Sequence, residues 1–165
     1  MSNGPALYGP SSGGSSAPGL YVHAESVQSQ FFEIDPVTGY ILQTNLFQAP
    51  DGYNRVLIEA SARWTVHNNT ASDTWIGSNL IIYVPPFPPI GADGFVGTEN
   101  LLIPAGETGP QRSFTFAKTY TVNPADYLYM EMFLGLAGPG AVLAVGPNEN
   151  DTQAGLAVKW TFFNV

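Results

Sequence analysis

The residues of this chain best suited to acid–base chemistry are its two histidines, His23 and His67. Each has one carboxylate close to it in sequence, Glu25 and Asp73 respectively. Serine hydrolysis needs a base that is oriented by an acid, and two isolated histidines are poor candidates for that arrangement. The chain also lacks a Walker loop, a His-Glu-x-x-His pair and paired cysteines. We therefore expect structural or surface roles for both histidines, no enzymatic activity and no cofactor.

A second chemical candidate is a loop rich in hard oxygen ligands. Asn148-Glu149-Asn150-Asp151 groups carboxylate and amide oxygens of the kind that bind Ca²⁺. The loop lacks the Asp-x-Asp-x-Asp-Gly spacing of a dedicated calcium site, so a solvated turn is the prediction and calcium is the alternative. Two other segments, Asn68-Asn69-Thr70 and Asn150-Asp151-Thr152, match the N-glycosylation sequence, which has meaning only in a secretory host.

The charge balance narrows the possible partners. The 165 residues contain 13 acidic side chains against five lysines and arginines, which gives a net charge of −8 at pH 7. A phosphate backbone would be repelled by such a protein. There is no cysteine for a disulfide or a zinc site, and no apolar run approaches the roughly 20 residues that span a bilayer. We expect no direct nucleic-acid partner, no metal and no membrane span.

The elements that position these side chains are predicted to be β-strands, because apolar and polar residues alternate with period two and no helical repeat is seen. Candidate strands cover residues 20–24, 27–34, 39–47, 53–68, 74–84, 101–103, 113–122, 126–136, 141–145 and 155–165. Asp35-Pro36-Val37-Thr38-Gly39 is predicted to form a turn in which Gly39 takes a positive φ. Many strands with short Pro, Gly and Asn turns favour one jelly-roll sandwich domain, residues 20–165.

Two candidate strands are apolar on both faces. In 126–136, leucines and methionines alternate with Tyr127, Tyr129 and Phe133, and in the last strand Phe163 lies opposite the core residues. A solitary domain rarely exposes an aromatic face of that size. Because Tyr and Phe are enriched at subunit contacts, we predict that these four residues form an oligomer interface. Cover by loops or by the N-terminal segment is the alternative.

Residues 1–19 differ in composition from the rest of the chain. From Gly9 to Gly19 the segment contains only Gly, Pro, Ser and Ala. Ordering a backbone costs roughly 1 to 2 kcal/mol per residue, whereas the main apolar side chains of the segment, Leu7 and Tyr8, return about 1.5 to 3 kcal/mol each when buried. We therefore predict an extended N-terminal arm that is held by backbone pairing on a neighbouring molecule, with Leu7 and Tyr8 among its contacts.

Two runs of sequence resemble the trimeric TNF/C1q-like jelly rolls. LFQAPDGYNRVLIEASARWTVHNN resembles the pair of strands in which an apolar-Pro-x-Gly-Tyr turn leads into a long strand. SFTFAKTYTVNPADYLYMEMFLG is similar to the following pair, although Pro124-Ala125-Asp126 stands where that superfamily has small-Gly-Asp. The resemblance spans residues 45–165 and implies a trimer without catalytic residues. Together with the arm, it implies a protein of a viral or bacteriophage virion.

The leading prediction of function is a capsid decoration or cement protein on the exterior of the virion. It would be a trimer whose arm fastens it to capsid proteins of the same particle. One alternative is a single-jelly-roll subunit of the capsid shell. Another is a receptor-binding fibre head that recognises a host surface glycan through the loops at 67–73, 85–98 and 146–153.

Overall fold

The computed structural model describes residues 19–30, 32–83, 95–124, 126–136 and 153–165. Within these ranges it contains β-strands and no helix, so no described helix is able to span a membrane. The strands are β1 Tyr21–Gln30, β2 Tyr40–Gln43, β3 Phe47–Gln48, β4 Arg55–Thr65, β5 Thr74–Tyr83, β6 Phe95–Ile103, β7 Arg112–Thr121, β8 Tyr127–Leu136 and β9 Gln153–Phe163. The prediction of an all-β chain is confirmed. The predicted strand 141–145 lies outside the described residues.

The strands form two antiparallel sheets. Sheet A has the order β1-β9-β4-β7, and sheet B has the order β2-β8-β5-β6, with the short β3 also paired to β8. In each sheet, strands from the beginning and the end of the chain lie next to each other. This is the arrangement of a jelly roll, in which two Greek keys are divided between two sheets. The predicted jelly-roll sandwich is therefore confirmed.

The first two predicted strands form a single strand, which ends at Gln30 and not at residue 34. Residues 20–24 and 27–34 were expected to form two strands, but β1 runs without a break from Tyr21 to Gln30, with half-buried and exposed side chains in strict alternation. Glu25, which lies between the two predicted strands, is on the inner face. Its Oε2 accepts a hydrogen bond of 2.8 Å from the backbone N–H of Asn45. The inward carboxylate therefore has a partner, and backbone pairing with β9 continues through Glu25.

The predicted strand 39–47 is instead divided into β2 and β3. Between them, the N–H of Thr44 donates to the carbonyl oxygen of Met130 at 2.9 Å. The Oγ1 of Thr44 accepts a hydrogen bond of 3.0 Å from the N–H of Met130. The threonine hydroxyl thus takes the place of a backbone acceptor, and the regular ladder with β8 is interrupted there.

The hydrophobic core lies between the two sheets. In the candidate strand 53–68, period-two alternation predicts one inner face, and all six of its members are buried: Val56, Ile58, Ala60, Ala62, Trp64 and Val66. Alternate side chains of β8 and β9 complete this layer: Leu128, Met130, Met132, Leu134, Leu156, Val158, Trp160 and Phe162. Between β1 and β3 the ring of His23 stacks on Phe47, with centroids 4.0 Å apart, and Trp160 lies 5.4 Å from the histidine. Rings therefore close this edge of the sandwich.

The predicted turn before β2 is confirmed. The N–H of Gly39 donates to the carbonyl oxygen of Asp35 at 2.8 Å, and Gly39 has a φ of 71°. The Asp35 carboxylate accepts hydrogen bonds from the N–H groups of Thr38, at 2.7 Å, and Val37, at 2.8 Å. These two hydrogen bonds, that of Thr38 first, stabilise the charged form and hold the pKa of Asp35 below its ordinary value of 3.8.

Gly39 also touches the outer side of sheet B, and this contact predicts a difference between two glycines. A Cβ at Gly39 would lie 2.5 Å from the carbonyl oxygen of Leu134 and 2.5 Å from a ring carbon of Phe133, whereas a Cβ at Gly106, which has a similar φ of 74°, would meet open space. In both variants the alanine must adopt a left-handed backbone, which by itself lowers the free energy of unfolding. We expect Gly39→Ala to lower the free energy of unfolding by about 1 to 3 kcal/mol more than Gly106→Ala. Urea denaturation measures both, and equal losses would contradict the close approach.

Candidate interaction surfaces

Both histidines take part in structural contacts. The Nε2 of His23 lies 2.9 Å from the Oε1 of Glu25, and the Nδ1 of His67 lies 3.0 Å from the Oγ1 of Thr108. Among the described residues, no group of three or more His, Cys, Asp or Glu side chains is placed to hold a metal ion. The oxygen-rich segment 148–151 lies outside those residues. The described part of the chain instead offers two distinctive surfaces, one on the outer face of each sheet.

Asn68, one of the two matches to the glycosylation sequence, is a structural residue. Its side chain is fully buried, and its Nδ2 donates to the carbonyl oxygens of Ser72 and Ile103 at 2.8 and 2.9 Å. Its Oδ1 accepts hydrogen bonds from the N–H and the hydroxyl of Thr70, at 3.0 and 2.6 Å. A glycan on Nδ2 would break this network, so the match reflects a loop structure and not a modification site. The second match, at Asn150, lies outside the described residues.

The outer face of sheet B carries apolar and aromatic side chains, and we call it the aromatic face. Its apolar members alternate with the buried residues of the same strands; they are Ile41, Trp75, Ile81, Leu102, Tyr127, Tyr129 and Phe133. Gln43, Asn79 and Glu131 lie among them on the same face. Ile41, Trp75, Leu102 and Tyr127 remain 50, 47, 39 and 47 % exposed. Several large apolar side chains therefore face solvent on one side of the sandwich, which is typical of a surface that binds another protein.

The sheet holds the aromatic face in place. The ring of Phe133 lies over the backbone of Gly39 and of Gly135, where a Cβ would come within 2.7 Å of it. Ile41 is the cross-strand neighbour of Phe133, and Trp75 is the cross-strand neighbour of Leu102. Such pairs on one face of a sheet restrain each other's side chains. Partner binding at this face therefore needs little ordering of the surface.

Charge is distributed unevenly between the two sheets. All five cationic residues of the chain lie in β4, β7 and β9 of sheet A; they are Arg55, Arg63, Arg112, Lys118 and Lys159. The strands of sheet B contain no lysine or arginine, and their two acids are Glu99 and Glu131. Glu99 forms an ion pair with Arg112 at 3.3 Å. Glu131 lies on the aromatic face itself, between Tyr129 and Phe133 on β8, so the described strands give this face one carboxylate and no cation.

The predicted interface residues are divided between the two sides of the sandwich. Tyr127, Tyr129 and Phe133 lie together on the aromatic face, since β8 is central in sheet B. Phe163 belongs to β9 and lies on the outer face of sheet A. The predicted arm contacts Leu7 and Tyr8 lie outside the described residues.

Four further apolar members of the aromatic face are not predicted from the sequence: Ile41, Trp75, Ile81 and Leu102. A signal was present for Trp75, because it alternates with the buried Thr74 and Ile76 in the same way that Tyr129 alternates with Leu128 and Met130. For Ile41 the strand is only four residues long, and Leu102 lies in the apolar run 101–103, so in neither place does alternation separate the two faces.

The outer face of sheet A is different, and it contains a depression that we call the small-residue groove. Ser26, Ala157, Ser61 and Thr115 lie side by side across all four strands and form its floor. One wall is the ion pair between the Nζ of Lys159 and the Oε2 of Glu59, at 2.5 Å, and the other wall is Arg63. Two adjoining shallow depressions, open to solvent and of about 550 and 350 Å³, share Ser61, Thr115 and Ala157.

Comparisons with known proteins find structural similarity but no match in sequence. No protein-family model and no curated protein matches the sequence. The chain is similar to one in the structure of infectious bursal disease virus, Gx strain, with a TM-score of 0.49 and 12 % identity over 89 % of this chain and 33 % of that one. For the Gt strain of the same virus the TM-score is 0.39 and the identity 12 %, over 90 and 37 %. The chain thus spans about a third of the length of those chains. Similarities this weak assign no function to the chain. The jelly-roll sandwich is confirmed, whereas the resemblance to TNF/C1q-like proteins remains a prediction.

Proposed function

We propose that this protein is a non-enzymatic structural component of a virion and that its copies associate through the aromatic face. The proposal rests on the difference between the side chains on the outer faces of the two sheets. Sheet B presents exposed aromatic and aliphatic side chains without a cation, while every cation of the chain is on sheet A. Jelly-roll sandwiches are used in viral capsids, among other proteins.

The size of the aromatic face supports an interface between subunits. Four strands about 4.8 Å apart, with lengths of up to ten residues, present a face of roughly 600 Å². Standard protein–protein interfaces bury about 800 Å² per partner. The aromatic face alone therefore supplies most of one such contact, in which Glu131 would need a polar partner.

Within this role we propose a trimeric decoration or cement protein on the capsid exterior, with residues 1–19 as an arm that fastens each copy to its capsid neighbours. The net charge of −8 supports an exterior position, because nucleic acid inside the shell would repel the protein. Leu7 and Tyr8 supply the apolar contacts of the arm. A shell subunit with the same sandwich is the second candidate, and the jelly-roll strand order favours it equally. The number of copies per particle separates the two candidates.

The arm is tested by binding to particles that lack this protein. Deletion of residues 1–19 removes none of the described strands, which begin at Tyr21. We expect the truncated protein to form the same oligomer as the full chain and to bind particles at least tenfold more weakly. The full-length double variant Leu7→Ala, Tyr8→Ala should be weakened in the same direction. Truncated protein that decorates particles at full occupancy would contradict the proposed role of the arm.

A further inference from the structure

Each sheet of the sandwich ends in strands that have a neighbour on one side only. In the part of the chain that the structure describes, β1 and β7 are the edges of sheet A, and β6 and the short β2 and β3 are the edges of sheet B. The outer side of an edge strand presents backbone N–H and C=O groups with which a strand of another molecule can pair. Assembly edge to edge therefore competes with the association through faces that we propose.

The charged side chains of sheet A are placed differently in its central and its edge strands. In the central strands β4 and β9 they all lie on the outer face; they are Arg55, Glu59, Arg63 and Lys159. In the edge strands they are aligned with buried residues and so lie on the core-facing side: Glu25 opposite Val158, Arg112 opposite Trp64, and Lys118 opposite Ile58. A charge on the core-facing side of an edge strand opposes the addition of another strand, because that strand would cover the charge.

Lys118 differs from the other two in its surroundings. The carboxylate of Glu25 accepts a hydrogen bond from the backbone of sheet B at Asn45, and Arg112 forms its ion pair with Glu99 of β6. Lys118 is exposed at the rim of the sandwich, and its Nζ lies 5.3 Å from the centre of the Tyr120 ring. Replacing Lys118 therefore removes a charge from the edge without breaking a hydrogen bond or an ion pair between the two sheets.

The remaining residues of β7 favour strand pairing. The strand is ten residues long, contains no proline, and is rich in phenylalanine, tyrosine and threonine, which are common in strands. Its two charged residues, Arg112 and Lys118, are both cations. Two copies of β7 side by side would bring four cations together, and like charges on neighbouring strands destabilise pairing. The charge of Lys118 thus acts against the pairing that the rest of the strand favours.

We infer that Lys118 closes the edge of β7 to strand addition, so that copies of this chain associate through a face and not through this edge. This inference rests on the proposed function and deepens it, because it names the residue that excludes a competing mode of assembly. The partner that Lys118 excludes is β7 of a second copy, which would pair in the antiparallel direction and join two copies of sheet A into one sheet.

The test uses full-length protein that carries Trp75→Glu, a change that disrupts the aromatic face, so that the remaining association reports other contacts. Sedimentation over a range of concentrations compares this protein with and without Lys118→Val. Lys159→Val is the matched control, because it removes the same charge from the outer face of the central strand β9. Lys118→Arg is the second control, because it keeps the charge at the edge. Lys118→Thr takes the place of Lys118→Val if the valine variant does not fold.

We expect Lys118→Val to strengthen association at least tenfold, and both controls to stay within twofold of Trp75→Glu alone. Hydrogen–deuterium exchange in residues 112–121 should slow in the associated variant, since a new strand would protect the outward N–H groups of β7. Unchanged association with Lys118→Val, an equal gain with Lys159→Val, or unchanged exchange in β7 would overturn the inference. Association of Trp75→Glu alone that equals that of the original protein would contradict the proposed function instead, and the comparison of Lys118→Val with Lys159→Val would still decide the inference.

Discussion

Trp75→Glu is expected to dissociate the oligomer. Trp75 is about half exposed on the aromatic face beside Leu102, where association would bury it. A buried tryptophan is commonly among the residues that contribute most to an interface, at about 2 kcal/mol or more, and a loss of this size weakens association about 30-fold. A glutamate at the same position would add the cost of burying a charge. Sedimentation over a range of concentrations measures the association constant directly.

The control for this prediction is Val22→Glu. Val22 is 53 % exposed, similar to Trp75, but it lies on the outer face of sheet A and outside the small-residue groove. The same charge is therefore introduced at the opposite surface of the sandwich. We expect the association constant of this variant to stay within about twofold of the original value. Equal dissociation by both variants would show that the aromatic face has no special part in association.

Trp160→Ala is expected to have the largest effect on folding. The side chain is 1 % exposed and packs in the core near the rings of His23 and Phe47. Removing a large buried aromatic side chain costs about 3 to 5 kcal/mol, which is a large part of the 5 to 15 kcal/mol that stabilises a typical domain. Trp75→Ala removes the same side chain from the surface, and we expect it to cost less than about 1.5 kcal/mol. Urea unfolding of dilute protein compares the two, and similar losses would contradict the placement of the two tryptophans.

The alternation of residues along single strands predicted much of this fold. In β4 the spacing of Val56, Ile58 and Trp64 identified the inner face, and Asp35 with Gly39 identified a turn with positive φ. Both are local properties, set by the geometry of one strand or of five consecutive residues. The two apolar faces of β8 were predicted in the same way, because Tyr129 and Phe133 alternate with buried methionines.

Features that depend on which strands are neighbours could not be predicted. Phe163 and Phe133 have similar patterns in sequence, but β9 pairs with β4 and β8 pairs with β5, which places the two rings on opposite sides of the sandwich. The small-residue groove is likewise a property of lateral register. Ser26, Ser61 and Thr115 are unremarkable in their own strands and form a floor only because they are aligned across sheet A.

In the proposed assembly, the aromatic face of sheet B would gain affinity from the burial of apolar side chains that the sheet already restrains.

The most direct test of the central claim, that copies of this chain cover the aromatic face, is acrylamide quenching of tryptophan fluorescence. Trp64 and Trp160 are buried within the sandwich, at 0 and 1 % exposure, so Trp75 accounts for the fluorescence that a quencher reaches in the monomer. The accessible fraction should disappear as the protein concentration rises through the range in which sedimentation shows association, and it should be absent from Trp75→Phe throughout. Trp75 fluorescence that is quenched as readily in the oligomer as in the monomer would contradict the claim.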